Sequence, residues 1–472
     1  MKTKLFFLSI VFASFVNAQS PNFQWTKSAG GTALSEVNCI CTDSKGNEYM
    51  TGAFQSSTFT FGTTILKNAD AAGKANDVFI VKYDAAGNVL WAKSFGGSSY
   101  DTGYGISTGE NGNVTITGSF KSPKFTLGNT TLTNADTSGK TFDIFIAQYD
   151  EAGNVLWAKS IGGLGNESAV SVSSNESGCF ITGYFCSKTL NFGTAVLTKI
   201  DNVEYSEDLF IAKLSGDGNV LWAKSVGGAK NEEGSCVSTD SKGNVFVTGN
   251  FTGSSITFGT TTLTNAGGDA EGYDFFLVKY DASGNVIWAK SCGGSDGDEC
   301  KSIAADKNGN VFITGFFYSP VISFGSTTLN KIGIYDIFIA KYDASGNLLW
   351  AKAAGGNGDD ESNSICTDTS SNVFIVGFYS SSKIIFGGST ITNADHTESS
   401  KDIFIAKYDA SGNALWAKSI GGISYEYGKS IAADSNGNVF FAGLIESPTV
   451  HFGTTIITNT GKCAITLSSL GH

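Results

Sequence analysis

Seven tryptophans, Trp25, Trp91, Trp157, Trp222, Trp288, Trp350 and Trp416, recur at spacings of 66, 66, 65, 66, 62 and 66 residues. A fixed period of this kind marks one supersecondary unit used repeatedly, and each unit needs neighbours to bury its apolar face. Six copies read close to Gly-Asn-Val-Leu-Trp-Ala-Lys-Ser-x-Gly-Gly. The first copy is looser and runs from Asn22 to Gly31.

Each unit holds four strand candidates. Strand a is short and rich in small residues, as in Ser302 to Asp306. Strand b follows a Gly-Asn turn, as at Val311 to Gly315. Strand c is apolar on both faces, as in Ile337 to Ala340, and leads into Lys-Tyr-Asp. Strand d, as in Leu348 to Ala351, follows a second Gly-Asn turn. Runs that are apolar throughout suit strands covered on both sides. The Asp-x-x-Gly-Asn pattern is hairpin chemistry. Glycine is abundant at 59 and proline scarce at 4, and no segment has helical periodicity. Between b and c lies an added strand or hairpin arm, such as Phe258 to Thr264. The loop after it absorbs the length differences: 11 positions from Leu66 to Asp77, 7 from Leu329 to Asp336.

The two ends complement each other. Residues 461–467 occupy a strand c position with no strand d behind them, and Asn22 to Trp25 begins with a strand d that lacks its partners. The expected fold is therefore all-β: a seven-bladed β-propeller closed by pairing the N-terminal strand with the C-terminal three strands. Closure leaves no unpaired edge inside the ring.

The run from Asp402 to Gly422, Asp-Ile-Phe-Ile-Ala-Lys-Tyr-Asp-Ala-Ser-Gly-Asn-x-Leu-Trp-Ala-Lys-Ser-x-Gly-Gly, resembles the bacterial seven-bladed β-propeller repeat (SBBP-type) proteins. The likeness covers essentially the whole chain after residue 18. It implies an exported or cell-surface protein and no shared activity.

Residues 1–18 read as a signal peptide. Lys2 and Lys4 precede the apolar run Leu5 to Val16, and Val16-Asn17-Ala18 is a small-x-small cleavage pattern. The propeller is expected to occupy 19–472, exported to the periplasm, outer surface or medium, with no transmembrane segment. The formal charge is −12, and losing Lys2 and Lys4 makes it −14. All basic side chains are lysines, with no arginine. That excludes a nucleic-acid partner, where phosphate contacts dominate affinity, and removes the guanidinium fork for anions. The nine cysteines are irregularly placed. Cys41 and Cys366 share a repeat position with Ala304 and Ala432, as small apolar strand residues do. Cys292 and Cys300 are a candidate disulfide pair.

The d-to-a and b-to-c connections emerge on one face. The d-to-a loop carries an acid in every unit: Glu36, Asp101, Glu167, Glu232, Asp298, Asp360 and Glu426. As a ring at the channel mouth they are candidate ligand-binding groups for a cation, Ca²⁺ being the metal that clustered carboxylates suit, or for a polyhydroxyl. The competing reading is structural: each acid accepts backbone N–H bonds and ties neighbouring blades together. Asp296, Asp298, Glu299, Asp359, Asp360 and Glu361 make two neighbouring loops richest in acid. Asp306 to Asn310 and Asp434 to Asn438 echo a calcium loop, but the glycine is misplaced and the closing glutamate absent, so they read as turns. The tryptophans are expected to pack between blades. Tyr100, Tyr205, Tyr273, Tyr335, Tyr425 and Tyr427 differ in position from copy to copy, as a graded binding surface requires.

No catalytic residues are assigned and no cofactor is implied. His396, His451 and His472 have no metal-ligand spacing, and no nucleophile elbow or phosphate loop is present. The favoured function is a binding or scaffolding module for a protein or polysaccharide partner through one loop face. The alternatives are a polysaccharide-acting enzyme using channel-mouth carboxylates and a purely structural envelope protein.

Overall fold

A computed structural model describes residues 21–471 apart from 202, 204, 205, 269–271, 397 and 460. The expected signal segment 1–18, Tyr205 and His472 lie outside the described residues.

Strands and tight turns account for the architecture. Blade one is the sheet of strands a Ser35–Thr42, b Glu48–Phe54, c Asp77–Tyr83 and d Val89–Phe95, in that spatial order. Blades two to six repeat the order, ending with Asp360–Thr367, Val373–Tyr379, Asp402–Tyr408 and Ala414–Ile420. The seventh sheet joins Glu426–Ala433, Val439–Ile445 and Ala464–Leu470 to Phe23–Gly30 at the other end of the chain. Trp25 stands opposite Ser469 and Gly30 opposite Ala464. The ring closes as the complementary ends require. Among the described residues no helix is long and apolar enough to cross a membrane.

The added segment between b and c is a two-stranded hairpin, for example Ser255–Phe258 with Thr261–Thr264. It lies on the outer rim and touches the strand d of the preceding blade, as in the Gly96 to Thr126 bridge. Strand d is otherwise an edge. The lysine two places after each tryptophan puts a charge in that edge, which discourages pairing with another chain.

The core is divided into seven apolar clusters, one at each blade-to-blade interface. The cluster at the seam combines Phe59, Phe61 and Phe79 of blade one with Phe440 and Leu467 of blade seven. Each tryptophan belongs to these interfaces. The Trp91 indole N–H donates to the Glu151 carbonyl of the next blade at 3.1 Å, and Trp25 does the same to Ala85 at 3.1 Å. The ring presses so closely on the next c–d turn that a Cβ on Gly87 would lie 2.8 Å from Trp25. Gly87 also has φ +75°, so two constraints select glycine in this Gly-Asn turn.

The nine cysteines are free thiols. The candidate Cys292–Cys300 bond is not formed. Cys292 instead lies 3.1 Å from the Tyr342 hydroxyl, and the buried Cys300 faces the Thr314 carbonyl at 3.6 Å. Each fills apolar space inside its own strand.

Candidate functional site

Six of the seven loop acids occupy one structural position, the first residue of strand a. Asp101, Glu167, Glu232, Asp298, Asp360 and Glu426 are all fully buried. Their oxygens face inward to the loops. Asp101 accepts the Gly97 amide at 2.9 Å, the Lys121 amide at 3.1 Å and the Ser122 hydroxyl at 2.8 Å. Asp360 accepts the Gly356 amide at 2.7 Å and the Ser381 hydroxyl at 2.8 Å. The d–a loop is thereby fixed to the turn after strand b. Burial is the main force on these carboxyls and pushes Asp101, Glu167 and Asp360 up to about 7 against the loop hydrogen bonds.

Glu36 is not part of that set. Ser35 stands opposite Phe54 just as Asp101 stands opposite Phe120, so the first position in blade one holds a serine. Glu36 falls one place later and points the other way, because successive side chains alternate. Its companions are Glu233, Glu299 and Glu361, each opposite the equivalent residue of its own strand b. This second set lies at the mouth of the channel.

Strand a lines the axis, and a bulge in every copy re-aims one residue. The ladder skips Asn38, Tyr104, Val170, Ser235, Lys301, Asn363 and Lys429. Electrostatic influence between blades that are not neighbours shows that these positions look into one shared space. Tyr104 of blade two feels both Glu36 and Glu233, and Lys429 of blade seven feels Lys301 of blade five. Burial lifts Glu233 to about 7, helped by Glu207 and Glu299 and opposed by Lys301.

In blades five to seven the mouth carries ring and ammonium together, as blade two does with Lys121 over Phe142 at 5.4 Å. Lys301 lies over Phe316 at 5.4 Å and Lys401 over Phe378 at 4.3 Å. Tyr335 stands edge-on to Phe316 at 5.2 Å, and Tyr427 edge-on to Phe378 at 5.1 Å. The residues equivalent to Phe316 and Phe378 are Ala53 and Ser119 in blades one and two, and Tyr184 in blade three. Of the sequence-selected tyrosines, Tyr273, Tyr335, Tyr425 and Tyr427 belong to this face, and Tyr100 and Tyr425 are exposed. Lys301 and Lys429 escaped sequence reasoning because a bulge leaves no mark in the residue pattern.

Among the described residues no three metal-ligating side chains come together. Asp306 forms the expected turn: one oxygen accepts the Asn308 and Asn310 amides at 2.8 and 2.9 Å, and Gly309 has φ +80°.

The fold and its axial mouth define a seven-bladed β-propeller. The SBBP beta-propeller repeat family matches residues 287–315, from strand d of blade four to strand b of blade five. An uncharacterized WD repeat-containing protein of Acanthamoeba polyphaga mimivirus is 25% identical over 91% of this chain and 36% of its own length. The regulatory protein FlaEY of Caulobacter vibrioides is 25% identical over 86% of this chain and 42% of its own. The chain thus spans well under half of either relative. Among solved structures, the WD40 propeller domain of Doa1 aligns over 95% of this chain and 97% of that one, at 9% identity and a TM-score of 0.46. Sqt1 from Chaetomium thermophilum aligns over 90% and 97%, at 8% identity and a TM-score of 0.42.

Proposed function

We propose that the chain is an exported binding and scaffolding module that holds a protein partner against its d–a and b–c loop face. The observation that carries this reading is an asymmetry between the two faces. Leu34, Leu164, Ile332 and Ile423 stand exposed at loop tips of one face, Leu164 at 82% and Ile423 at 78%. The a–b and c–d turns of the other face expose no large apolar side chain among the described residues. Apolar side chains gathered on one face around a polar centre mark an interaction surface. Branched aliphatic tips suit a protein surface better than a polysaccharide. The relatives' names, a WD repeat-containing protein and a regulatory protein, agree with a binding role. Export rests on the residue pattern of positions 1–18.

Photo-crosslinking tests it. A benzophenone side chain at Ile423 or Leu164 is expected to capture a protein in the native host, whereas one at Ala86 or Ser411 in the opposite turns captures none. Crosslinks from the opposite turns alone, or from neither face, overturn the reading. Recovery of the protein outside the cytoplasm with Gln19 as first residue supports export, and an uncut cytoplasmic form refutes it.

A further inference from the structure

We infer that the sector of the mouth in blades five to seven seats a carboxylate from an acidic, apolar-flanked segment of the protein partner, with Lys301, Lys401 and Lys429 as its receptor. This rests on the binding role proposed above and specifies the chemistry of the partner.

The three lysines come from different blades and converge. Lys429 sits on the strand a bulge of blade seven, Lys301 on that of blade five, and Lys401 just before strand c of blade six. One aromatic ring serves two of them: Tyr427 lies 5.7 Å from the Lys401 ammonium and 5.3 Å from that of Lys429. The cation–ring attraction fixes these side chains in place before any ligand arrives.

Their partners are unequal. Lys301 has Glu299 at 2.6 Å, and Lys401 has Asp359 at 4.0 Å. Lys429 has neither an ion pair nor a hydrogen bond among the described residues. Burial pushes its ammonium below the usual lysine range; among the charges Glu36 opposes this most strongly, Lys301 adds to it, Glu361 opposes it and Lys401 adds to it least. A half-buried ammonium with no ion pair of its own among the described residues, gathered with two further ammoniums, is a place for a ligand carboxylate to dock. With lysine as a compact point charge, and no arginine in the chain, the contact is a single carboxylate and not a planar bidentate fork.

The surroundings select a protein source for that carboxylate. Ile332 at 70% exposure, Ile334 and Ile423 stand around this sector with Tyr425. They match leucine, isoleucine or phenylalanine beside an aspartate or glutamate. A uronate sugar brings the charge but no counterpart for branched aliphatic tips.

Random peptides displayed on phage and selected on the folded chain give the test, followed by direct affinity measurement of the enriched sequences. Enrichment of acidic residues adjacent to large apolar ones is expected. Lys429→Gln combined with Lys401→Gln is expected to weaken those peptides by about tenfold or more while the melting temperature stays near that of the parent. Enriched peptides without acidic residues, or undiminished affinity in the lysine variant, overturn the inference. If such peptides still compete with one another and lose affinity in Leu164→Ser/Ile423→Ser, the binding face survives and only its chemistry is wrong. Binding of oligogalacturonate with no peptide enriched overturns the inference and the protein-partner reading together.

Discussion

The junction between blades seven and one differs from the other six. At a regular junction two carboxyls are buried side by side. Asp77 opens strand c of one blade, Asp101 opens strand a of the next, and the Asp77 charge adds to the rise that burial imposes on Asp101. The pairs Asp143 with Glu167, Asp208 with Glu232 and Asp402 with Glu426 repeat this. At the seam both are missing: Ala464 replaces the first acid and Ser35 the second. Cys463 makes the link instead, donating from its thiol to the Ser35 carbonyl at 3.1 Å. The two acids vanish together, so they form one device. They clamp loops between blades, and this junction holds without them through the apolar cluster that blades seven and one share, beside a strand c to strand d ladder of seven residue pairs inside blade seven. The seam must be found by two distant ends of the chain, and burying a carboxyl pair there would add a desolvation cost to that search.

Removing the ladder tests the seam most severely. A chain lacking residues 1–30 loses strand d of blade seven, leaves strand Ala464–Leu470 as a bare edge and strips Trp25 and Ala29 from the seam cluster. Loss of cooperative folding and aggregation through the open edge are expected. Circular dichroism melts and size-exclusion chromatography check this, and a monomeric truncation with an unchanged melt would show that the seam does not hold the ring.

Next in size is a contrast between two glycines that the repeat makes equivalent. A Cβ on Gly96 would lie 2.2 Å from an Asp77 carboxylate oxygen, whereas one on Gly30 would meet nothing within 4 Å, because Ala464 has no carboxylate to place there. Gly96→Ala is expected to cost about 3 kcal/mol by overpacking, and Gly30→Ala about 0.5 kcal/mol or less. Urea unfolding of both variants measures the difference. Adding Asp77→Ala to Gly96→Ala should recover part of the loss, since residues in contact do not add independently.

Much of this was legible in the sequence. The tryptophan spacing, the Gly-Asn turns and the complementary ends specify blade count and closure, because each is a local demand repeated seven times. The first glycine of each Gly-Gly pair was visible, but its reason was not: the Asp77-type carboxylate that fills its Cβ space comes from a strand some twenty residues away. Glu36 illustrates the opposite failure. Counting four positions past Gly31 arrives at Ser35, and the acid one place further belongs to the other side of the strand. The pore set Glu233, Glu299, Lys301 and Lys429 stayed hidden, because alternation and bulging decide which side chains reach the axis.

The carboxyl pairs also set a pH response that the seam does not share. Burial lifts Asp77, Asp143 and Asp402 to about 6 and Asp101 and Glu167 to about 7. Unfolded, these groups titrate near 4. Between those limits the folded state binds more protons, so their contribution is full below about pH 4 and lost as pH rises through 6 to 7. Exposed turn aspartates such as Asp281 and Asp343 are held below the usual range and act at the acid end, losing their contribution as they protonate. The urea midpoint is expected to be higher near pH 5 than at pH 8. An equal or higher midpoint at pH 8 would mean that the pairs are not the buried clamps described.

The smallest effect concerns a regular junction that is incomplete. Ser122, Ser319 and Ser381 each donate a hydroxyl to their acid, but blade four has Gly253 at that position. One oxygen of Glu232 is left buried with no hydrogen-bond partner among the described residues, and burial lifts this carboxyl to about 8. A Cβ on Gly253 would sit 3.7 Å from that oxygen, in ordinary contact, and no positive φ opposes a side chain there. Gly253→Ser is therefore expected to stabilise the protein by about 1 kcal/mol, the net worth of a hydrogen bond to a buried acceptor. Gly253→Ala separates this from the backbone effect of replacing glycine: it should gain less than serine in the same urea titration. If the two variants gain equally, the hydroxyl contributes nothing and the acids need no serine to close the clamp.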